Sequence, residues 1–309
     1  MRIVLANLSD KLYEESRLRL NASARRYGLE DIRSYDFEEI KQTPFYTANR
    51  EILDRPEGLG YWLWKPYIIL EAMKELAEGD IVIYCDSGIE VLAPLDPLVT
   101  LCKEREPVLL FGNGDFTNSL WTKRDCFLLM NCDEESYWYA PHCDASFCLF
   151  RKSPQCLQFL EEWMRFCCDK RILTDEPNTC GENNLPDFIQ HRRDQAVVSL
   201  LARKYQLSLY RMPTQFGNHY KMPAYRVQDE FNVISQLRQS PVGYYATIPY
   251  YNSAYFQLLD HHRKKDALSE AKRSLSKGMS FPGKLKLLIK AFRYGSGPGP
   301  IRVKKNTKL

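Results

Sequence analysis

The chain has 309 residues, of which 44% are hydrophobic, 27% charged and 13% aromatic, a composition typical of a folded globular protein. Its net charge of +4 is unevenly distributed, because eleven basic and no acidic residues follow Glu270, whereas the residues up to that point hold 32 basic and 39 acidic groups. The acidic part argues against nucleic acid as a partner, and the basic end points to a partner of its own. We expect a single folded domain over 1–270 and a basic tail over 271–309.

Short apolar runs alternate with longer amphipathic ones along the chain. The pattern predicts strands over 2–7, 32–37, 81–85, 108–111, 146–150 and 207–211, and helices over 11–27, 65–77, 123–131, 155–169 and 194–205. This alternation is typical of an α/β protein with a mostly parallel, Rossmann-like sheet and helices on both faces. The polar stretch 171–187 predicts a long functional loop.

The cysteines and the N-terminus bear on the cellular compartment. None of the ten cysteines forms a Cys-x-x-Cys pair, and several lie in apolar runs, where a thiol behaves as a small hydrophobe. The sequence starts with a strand pattern rather than a signal peptide, and it has no apolar run of membrane-spanning length. These features predict a cytoplasmic protein.

The most apolar predicted strand, 81–85, ends at Asp86. Ligands of open parallel sheets bind beyond the carboxyl ends of the strands. Ser87 and Gly88 follow, and they allow the backbone to turn close to a ligand. A carboxylate here can ligate a divalent cation that neutralises a diphosphate, although an aspartate that only caps a turn is the alternative.

A stretch rich in glycine and aromatic residues, 58–64, leads into Lys65 and Pro66 at the start of a predicted helix. A cation at this place opposes the helix macrodipole, so an anionic ligand would explain it. A solvated lysine beside an aromatic corner of the core is the equally weighted alternative.

Basic residues cluster before the helix predicted over 194–205. His191 and Arg192 would suit a polyanion or a sugar, whereas Asp194 could serve as the N-cap of the helix. Further candidates are Asp144, near the start of a strand, and His219, a lone histidine that would need a partner to bind a metal.

In this order the motifs resemble glycosyltransferases of the GT-A fold. The resemblance covers roughly residues 1–220 and is carried by Gly-Tyr-Trp-Leu-Trp-Lys-Pro, Asp-Ser-Gly after a strand, Asp-Ala-Ser and His-Arg-Arg-Asp-Gln. The sequence looks most like uncharacterised bacterial and viral members related to the retaining glycogenin-like and yeast mannosyltransferase-like families. The resemblance implies transfer of a sugar, with retention, from a nucleoside diphosphate sugar to a glycan or lipid-linked acceptor in polysaccharide biosynthesis. A UDP-sugar is favoured, and a GDP-sugar stays open.

The resemblance also implies roles for individual residues. Asp86 corresponds to the first carboxylate of a D-x-D motif that binds Mn²⁺ or Mg²⁺, and His219 to a late histidine ligand, while Gly88 stands where the motif has its second aspartate. The sugar-side catalytic residues would be Asp144, Asp194 and Gln195. The donor nucleotide sugar would contact Ala6, Asn7, Lys65, Asp86, Ser87, Gly88, His191 and Arg192.

Two alternatives accompany this hypothesis, a noncatalytic binding protein and a nucleic-acid module, and the tail has a further hypothesis of its own. The incomplete D-x-D motif is compatible with a noncatalytic protein that binds a nucleotide sugar or carbohydrate on the same scaffold. The basic amphipathic segment 284–293 is typical of segments that lie on anionic membranes, which predicts a peripheral membrane protein; a solvated helix is the alternative. A nucleic-acid module in the tail is the least favoured hypothesis.

Overall fold

A computed structural model gives the fold and describes residues 1–217 and 253–261. The strands are β1 (Ile3–Ser9), β2 (Ile32–Asp36), β3 (Ile81–Cys85), β4 (Ile89–Val91), β5 (Val108–Thr117), β6 (Pro141–Arg151), β7 (Leu209–Arg211) and β8 (Leu259–His261). Six of them form one sheet in the order β2-β1-β3-β6-β5-β7, and β4 pairs with β8.

The directions of the strands decide which ends meet. β1 pairs in parallel with β2 and β3, and β7 pairs in parallel with β5, whereas β6 runs antiparallel to both β3 and β5. Five of the six strands in this sheet therefore share one direction, and the predicted mostly parallel α/β sheet is confirmed. Because β6 is reversed, its first residues lie beside the carboxyl end of β3.

Helices cover the sheet. They are α1 (Glu14–Arg26), α2 (Phe37–Ile40), α3 (Pro44–Ala48), α4 (Arg50–Leu53), α5 (Gly58–Tyr61), α6 (Trp64–Lys74), α7 (Asp96–Glu104), α8 (Asn118–Trp121), α9 (Arg124–Leu129), α10 (Glu135–Trp138), α11 (Pro154–Cys167), α12 (Lys170–Leu173) and α13 (Arg193–Lys204). The five predicted helices are confirmed as α1, α6, α9, α11 and α13, with shifted ends. The helix α7 and the short helices were not predicted. Among helices in the described ranges, none has the length and apolar character needed to cross a membrane.

The central strand β3 is buried on both faces, which explains its unbroken apolar sequence. Val82 and Tyr84 pack in one core cluster with residues of α6, α11 and α13. Ile81, Ile83 and Cys85 pack in a second cluster with residues of α1 and α7. Alternate residues of the strand thus face opposite helical layers, and the prediction of helices on both faces is confirmed.

The chain enters α6 through α5, which is a left-handed turn rather than a regular α-helix. All five residues from Gly58 to Trp62 have φ between 55° and 90°. This conformation costs an L-residue roughly 1–2 kcal/mol, so the three non-glycine residues store strain that other contacts must offset. A Cβ at Gly60 would lie 2.6 Å from Cα of Leu53, so only glycine fits there without displacing backbone. The indole N–H of Trp64 donates to the carbonyl of Gly58 at 2.9 Å and steadies the turn.

The second described range returns to the sheet beside the end of β3. The hydroxyl of Tyr255 donates to the carbonyl of Arg211 at 2.5 Å, and the amides of Leu258 and Leu259 donate to the carbonyl of Pro213. β8 then pairs antiparallel with β4, which directly follows the Asp86 turn. The domain boundary predicted at residue 270, the tail, the segment 284–293 and His219 lie outside the described residues.

Candidate functional site

The site begins with Asp86, the first residue after β3. Its side chain is 30% exposed, and its Oδ1 accepts a hydrogen bond of 2.5 Å from the hydroxyl of Tyr84. Its backbone N–H donates to the carbonyl of Ser146 on β6 at 2.7 Å. The amide of Ile89 donates to the Asp86 carbonyl at 3.1 Å and closes a turn. The carboxylate is therefore fixed by its neighbours and still reaches solvent.

Ser87 and Gly88 occupy the middle of this turn, as the sequence predicts. Ser87 is buried and Gly88 is half-buried, and neither lies in the left-handed region. The turn is therefore an ordinary one that costs little conformational energy. Their contact with a donor stays a prediction.

Lys65 lies in the first turn of α6, with only 3% of the residue exposed. Its Nζ is 2.8 Å from Oδ2 of Asp194, 3.0 Å from the carbonyl oxygen of Ala145 and 3.7 Å from Oδ1 of Asp86. Burial by itself would lower the pKa of Lys65, but Asp194 and Asp86 outweigh it and raise the pKa above its ordinary value. The ammonium is therefore charged and surrounded by protein oxygens. The alternative of a solvated lysine is wrong, and the anion that explains its position is a pair of protein carboxylates.

Asp194 lies in the first turn of α13 and is almost fully buried. Burial raises the pKa of its carboxyl to about 6 despite the attraction of Lys65. The helix starts at Arg193, so Asp194 is inside the helix and is not its N-cap. Gln195 follows in the same turn and is half-buried. At neutral pH the Asp194 carboxylate is mostly ionised and forms an ion pair with Lys65.

Asp144 reaches the same edge from the beginning of β6. Its Oδ1 accepts hydrogen bonds from the amide of Ser146, at 2.8 Å, and from the Ser146 hydroxyl. The Ser146 carbonyl in turn accepts from Asp86, and the neighbouring Ala145 carbonyl accepts from Lys65. A continuous set of hydrogen bonds and ion pairs therefore connects the three carboxylates through β6 and Lys65.

Ala6 and Asn7 lie near the carboxyl end of β1 and are fully buried. Ala6 is paired with Tyr84 across β1 and β3, so this strand end adjoins the Asp86 strand. The Nδ2 of Asn7 donates to Oδ1 of Asn21 at 2.9 Å. Its Oδ1 has no hydrogen-bond partner among the described residues, which is compatible with a polar ligand at this point. Their role in donor binding stays a prediction.

His191 and Arg192 have structural contacts of their own. The Nδ1 of His191 accepts from the amide of Lys123 at 3.3 Å, and Nε2 is 2.8 Å from the carbonyl of Ile172, to which it donates. Burial lowers the pKa of His191 to about 3, so the ring is neutral. Arg192 stacks on the ring of Trp121 at 4.4 Å. Both nitrogens of His191 are thus occupied by the main chain, which argues against the predicted direct contact of His191 with a donor phosphate.

Two residues of the site have roles that the sequence does not predict: Tyr84, and Ser146, which the sequence marks only as part of the Asp-Ala-Ser motif. Each is two positions from a predicted site residue, Asp86 and Asp144 respectively, within or at the end of a strand. Because side chains two apart share a face of a strand, the spacing was the signal that could have identified both.

The described residues do not supply a metal site by themselves. No group of three His, Cys, Asp or Glu side chains within 1–217 and 253–261 is placed to hold an ion. Oδ1 of Asp86 already accepts from Tyr84 and faces Lys65. Glu90, the nearest acid to the missing D-x-D position, lies on β4 opposite Asp260. The second predicted ligand, His219, lies outside these ranges, so binding of Mn²⁺ or Mg²⁺ stays a prediction.

Comparison with known proteins gives solved structures only, since no family model and no curated protein sequence matches the chain. Mouse xyloside xylosyltransferase 1 aligns with 11% identity and a TM-score of 0.45, over 85% of this chain and 98% of that chain. The bifunctional glycosyltransferase WbbM aligns with 13% identity and a TM-score of 0.40, over 65% of this chain and 37% of that chain. The glycosyltransferase GlyE of Streptococcus pneumoniae TIGR4 aligns with 14% identity and a TM-score of 0.38, over 96% of this chain and 64% of that chain.

All three of these structures are glycosyltransferases, the class that the sequence motifs resemble. Because each TM-score is below 0.5, function must be argued from the geometry of the site.

Proposed function

We propose that the protein is a glycosyltransferase of the hexosyltransferase type. It would move a sugar from a nucleoside diphosphate sugar to a hydroxyl of a glycan or lipid-linked acceptor. The observation that carries this proposal is the convergence of Asp86 and Asp194 on the buried Lys65 at one edge of the sheet, with Asp144 joined to them through β6. This edge holds the carboxyl end of β3, where open α/β sheets bind their ligands. UDP-sugars are the favoured donors and GDP-sugars the alternative.

The carboxylates suit the recognition of a sugar. Ionised aspartates only accept hydrogen bonds, so they can orient the hydroxyl groups of donor and acceptor and contribute through positioning. Lys65 holds Asp86 and Asp194 at a set separation, and its charge lowers the negative potential that a departing diphosphate would meet. We therefore assign Lys65 an indirect role towards the donor.

The stereochemistry decides which group moves a proton. If the reaction inverts the anomeric carbon, a protein base must take the proton of the acceptor hydroxyl. Asp194 is the better candidate because its pKa of about 6 lies close to neutral pH, whereas Asp144 is hydrogen-bonded to Ser146. With retention, which the sequence resemblance favours, attack from the front face needs no protein base.

Incubation with a panel of UDP- and GDP-sugars tests the proposal, with release of nucleoside diphosphate as the readout. We expect turnover by the wild type and a loss of at least about a hundredfold in Asp86→Asn and Asp194→Asn, because positioning and charge at the reacting centre are lost. Asp133→Asn is the control, since its carboxylate pairs with Arg124 away from this cluster. Absence of donor consumption in the whole panel, or wild-type turnover by Asp194→Asn, would contradict the proposal.

The panel also tests the predicted metal. Turnover should fall after chelation and return on addition of Mn²⁺ or Mg²⁺ if Asp86 and His219 bind the ion. Turnover that is unaffected by chelation would remove the metal from the proposal and leave the sugar transfer in place.

A noncatalytic protein that binds a nucleotide sugar or carbohydrate is the second candidate. Gly88, which stands where the D-x-D motif has its second aspartate, favours it. Calorimetric binding of a nucleoside diphosphate sugar without any turnover would favour this candidate.

We further propose that residues 284–293 attach this cytoplasmic enzyme to anionic membrane surfaces. The segment carries basic residues among leucine and isoleucine, a pattern typical of interfacial helices. Liposome flotation of the full chain should exceed that of a chain ending near residue 274 when the vesicles contain anionic lipid. Equal flotation would contradict the attachment.

A further inference from the structure

Both members of the central ion pair lie within three residues of left-handed backbone. Lys65 comes three residues after the left-handed turn that ends at Trp62, and Asp194 comes one residue after Arg193, which has a φ of 52°. Left-handed conformations are uncommon for residues other than glycine. Such residues persist only where the surroundings determine them, and they cluster at functional sites.

The two left-handed segments are joined to each other. The guanidinium of Arg193 lies 2.7 Å from the carboxylate of Asp175, 3.5 Å from that of Glu57 and 5.7 Å from the centre of the Trp62 ring. Tyr61 lies near the same Asp175 and, against the effect of burial, helps to lower the pKa of its carboxyl. We call these five residues the clamp.

Stability alone does not account for the clamp. The side chains of Asp175 and Glu57 are 43% and 52% exposed, and exposed ion pairs contribute little to folding. The start of α13 has no side-chain cap, so the left-handed Arg193 does not serve helix capping either. The two left-handed segments share one property: each sets the direction in which the following helix, α6 or α13, approaches the site.

We propose that Trp62 and Arg193 are positioning residues, and that the clamp sets the separation of Lys65 and Asp194. The clamp also connects the loop that contains Asp175 to the left-handed turn before α6 and to the left-handed start of α13. Only the catalytic consequence of this inference rests on the proposed function. The positional consequence can be measured without any substrate.

Chemical labelling of lysines measures how often Lys65 leaves its buried ion pair and meets solvent. Arg193→Gln and Asp175→Asn each open the clamp, and the labelling rate with acetic anhydride is followed by peptide mass spectrometry. We expect the rate at Lys65 to rise at least about tenfold, because a loosened ion pair opens more often to solvent. Lys152 is the internal control, since its Nζ donates to the carbonyls of Met73 and Leu76, at the far end of α6.

Arg171→Gln is the matched control variant, because it breaks an Arg–Asp pair of 2.6 Å with Asp169 that belongs to no clamp. It should leave the rates of both lysines unchanged. An unchanged rate at Lys65 in the clamp variants overturns the proposal, and so does a parallel rise at Lys65 and Lys152, which would indicate general loosening.

Kinetics then test the catalytic consequence. The clamp variants should lower kcat by about tenfold or more while KM for the donor changes by less than about threefold, since the geometry of the reacting groups is altered more than binding. A rise in KM at constant kcat would overturn a positioning role. If the wild type turns over no donor at all, the proposed function fails, and labelling alone decides whether the clamp positions Lys65.

Discussion

The end of β3 and the entries into α6 and α13 deliver residues to the same site by different physical means. β3 is a fully buried strand in a regular ladder, and Asp86 follows it in an ordinary turn closed by Ile89. The entries before Lys65 and Asp194 run instead through left-handed residues held by side-chain contacts. The first region is fixed by burial, and the second by a few specific contacts.

The sheet thus determines where the site residues lie, and the left-handed segments determine how Lys65 and Asp194 are oriented towards each other. A sheet brings strand ends to one edge without local strain, because its ladder is set by hydrogen bonds and burial. The direction in which Lys65 and Asp194 approach each other depends on six left-handed residues, the five of the turn and Arg193. We therefore expect substitutions at the two regions to fail in different ways.

Lys65→Met removes the group on which both regions converge and should have the largest effect. The buried Asp194 would lose its counter-charge, and removal of one partner of a buried ion pair costs about 3–5 kcal/mol. Urea denaturation measures this loss. Lys74→Met is the control, because its pair with Glu71 is exposed and contributes about 0–1 kcal/mol. Equal stability of the two variants would show that Lys65 is not the centre of the site.

Gly60→Ala perturbs only the left-handed turn before α6. Its Cβ would meet the Leu53 backbone at a φ of 90°, so we expect a loss of roughly 2–4 kcal/mol from left-handed strain and overpacking together. Gly79→Ala has nearly the same φ, 87°, but nothing within 4 Å of the added atom, so it should show only the strain of roughly 1–2 kcal/mol. A Gly60→Ala variant as stable as Gly79→Ala would mean that the turn is not held against Leu53.

The pH dependence of stability tests whether burial dominates at Asp194, and it is the smallest of the effects that we expect. Its pKa in the folded protein is raised to about 6 from the ordinary value of 3.8, so folding favours the protonated carboxyl. Its stabilising contribution is therefore complete below about pH 4 and is lost as the pH rises through about 6, on the order of 1–3 kcal/mol. Relative to Asp194→Asn, the wild type should lose unfolding free energy across this interval. A flat or rising difference would show that burial does not dominate at Asp194.

Much of the first region could be predicted from the sequence. An unbroken apolar run followed by Asp86 indicates a buried strand with a carboxylate at its end, and both are confirmed. The direction of β6 could not be predicted, because apolar runs read the same in parallel and antiparallel strands. That direction is what places Ser146, the hydrogen-bond partner of Asp144, beside Asp86.

The second region was largely beyond sequence reasoning. Two glycines before Lys65 suggest an unusual turn, but nothing in the local sequence indicates that Leu59, Tyr61 and Trp62 are left-handed as well. The partner of Lys65 lies more than a hundred residues away, so no local pattern could reveal the ion pair. The basic neighbours of His191 predict a ligand-binding group, whereas both of its ring nitrogens bond to the main chain.

The ion pair between Lys65 and Asp194 also has a consequence for synthesis of the chain on the ribosome. Lys65 and β3 emerge long before α13, so a nascent chain cannot bury the ammonium against its partner until the start of α13 has left the exit tunnel. The long sequence separation delays this contact in refolding as well. This part of the proposed site is therefore assembled late, and a chain interrupted before α13 contains Lys65 and Asp86 but lacks the pair of Lys65 with Asp194.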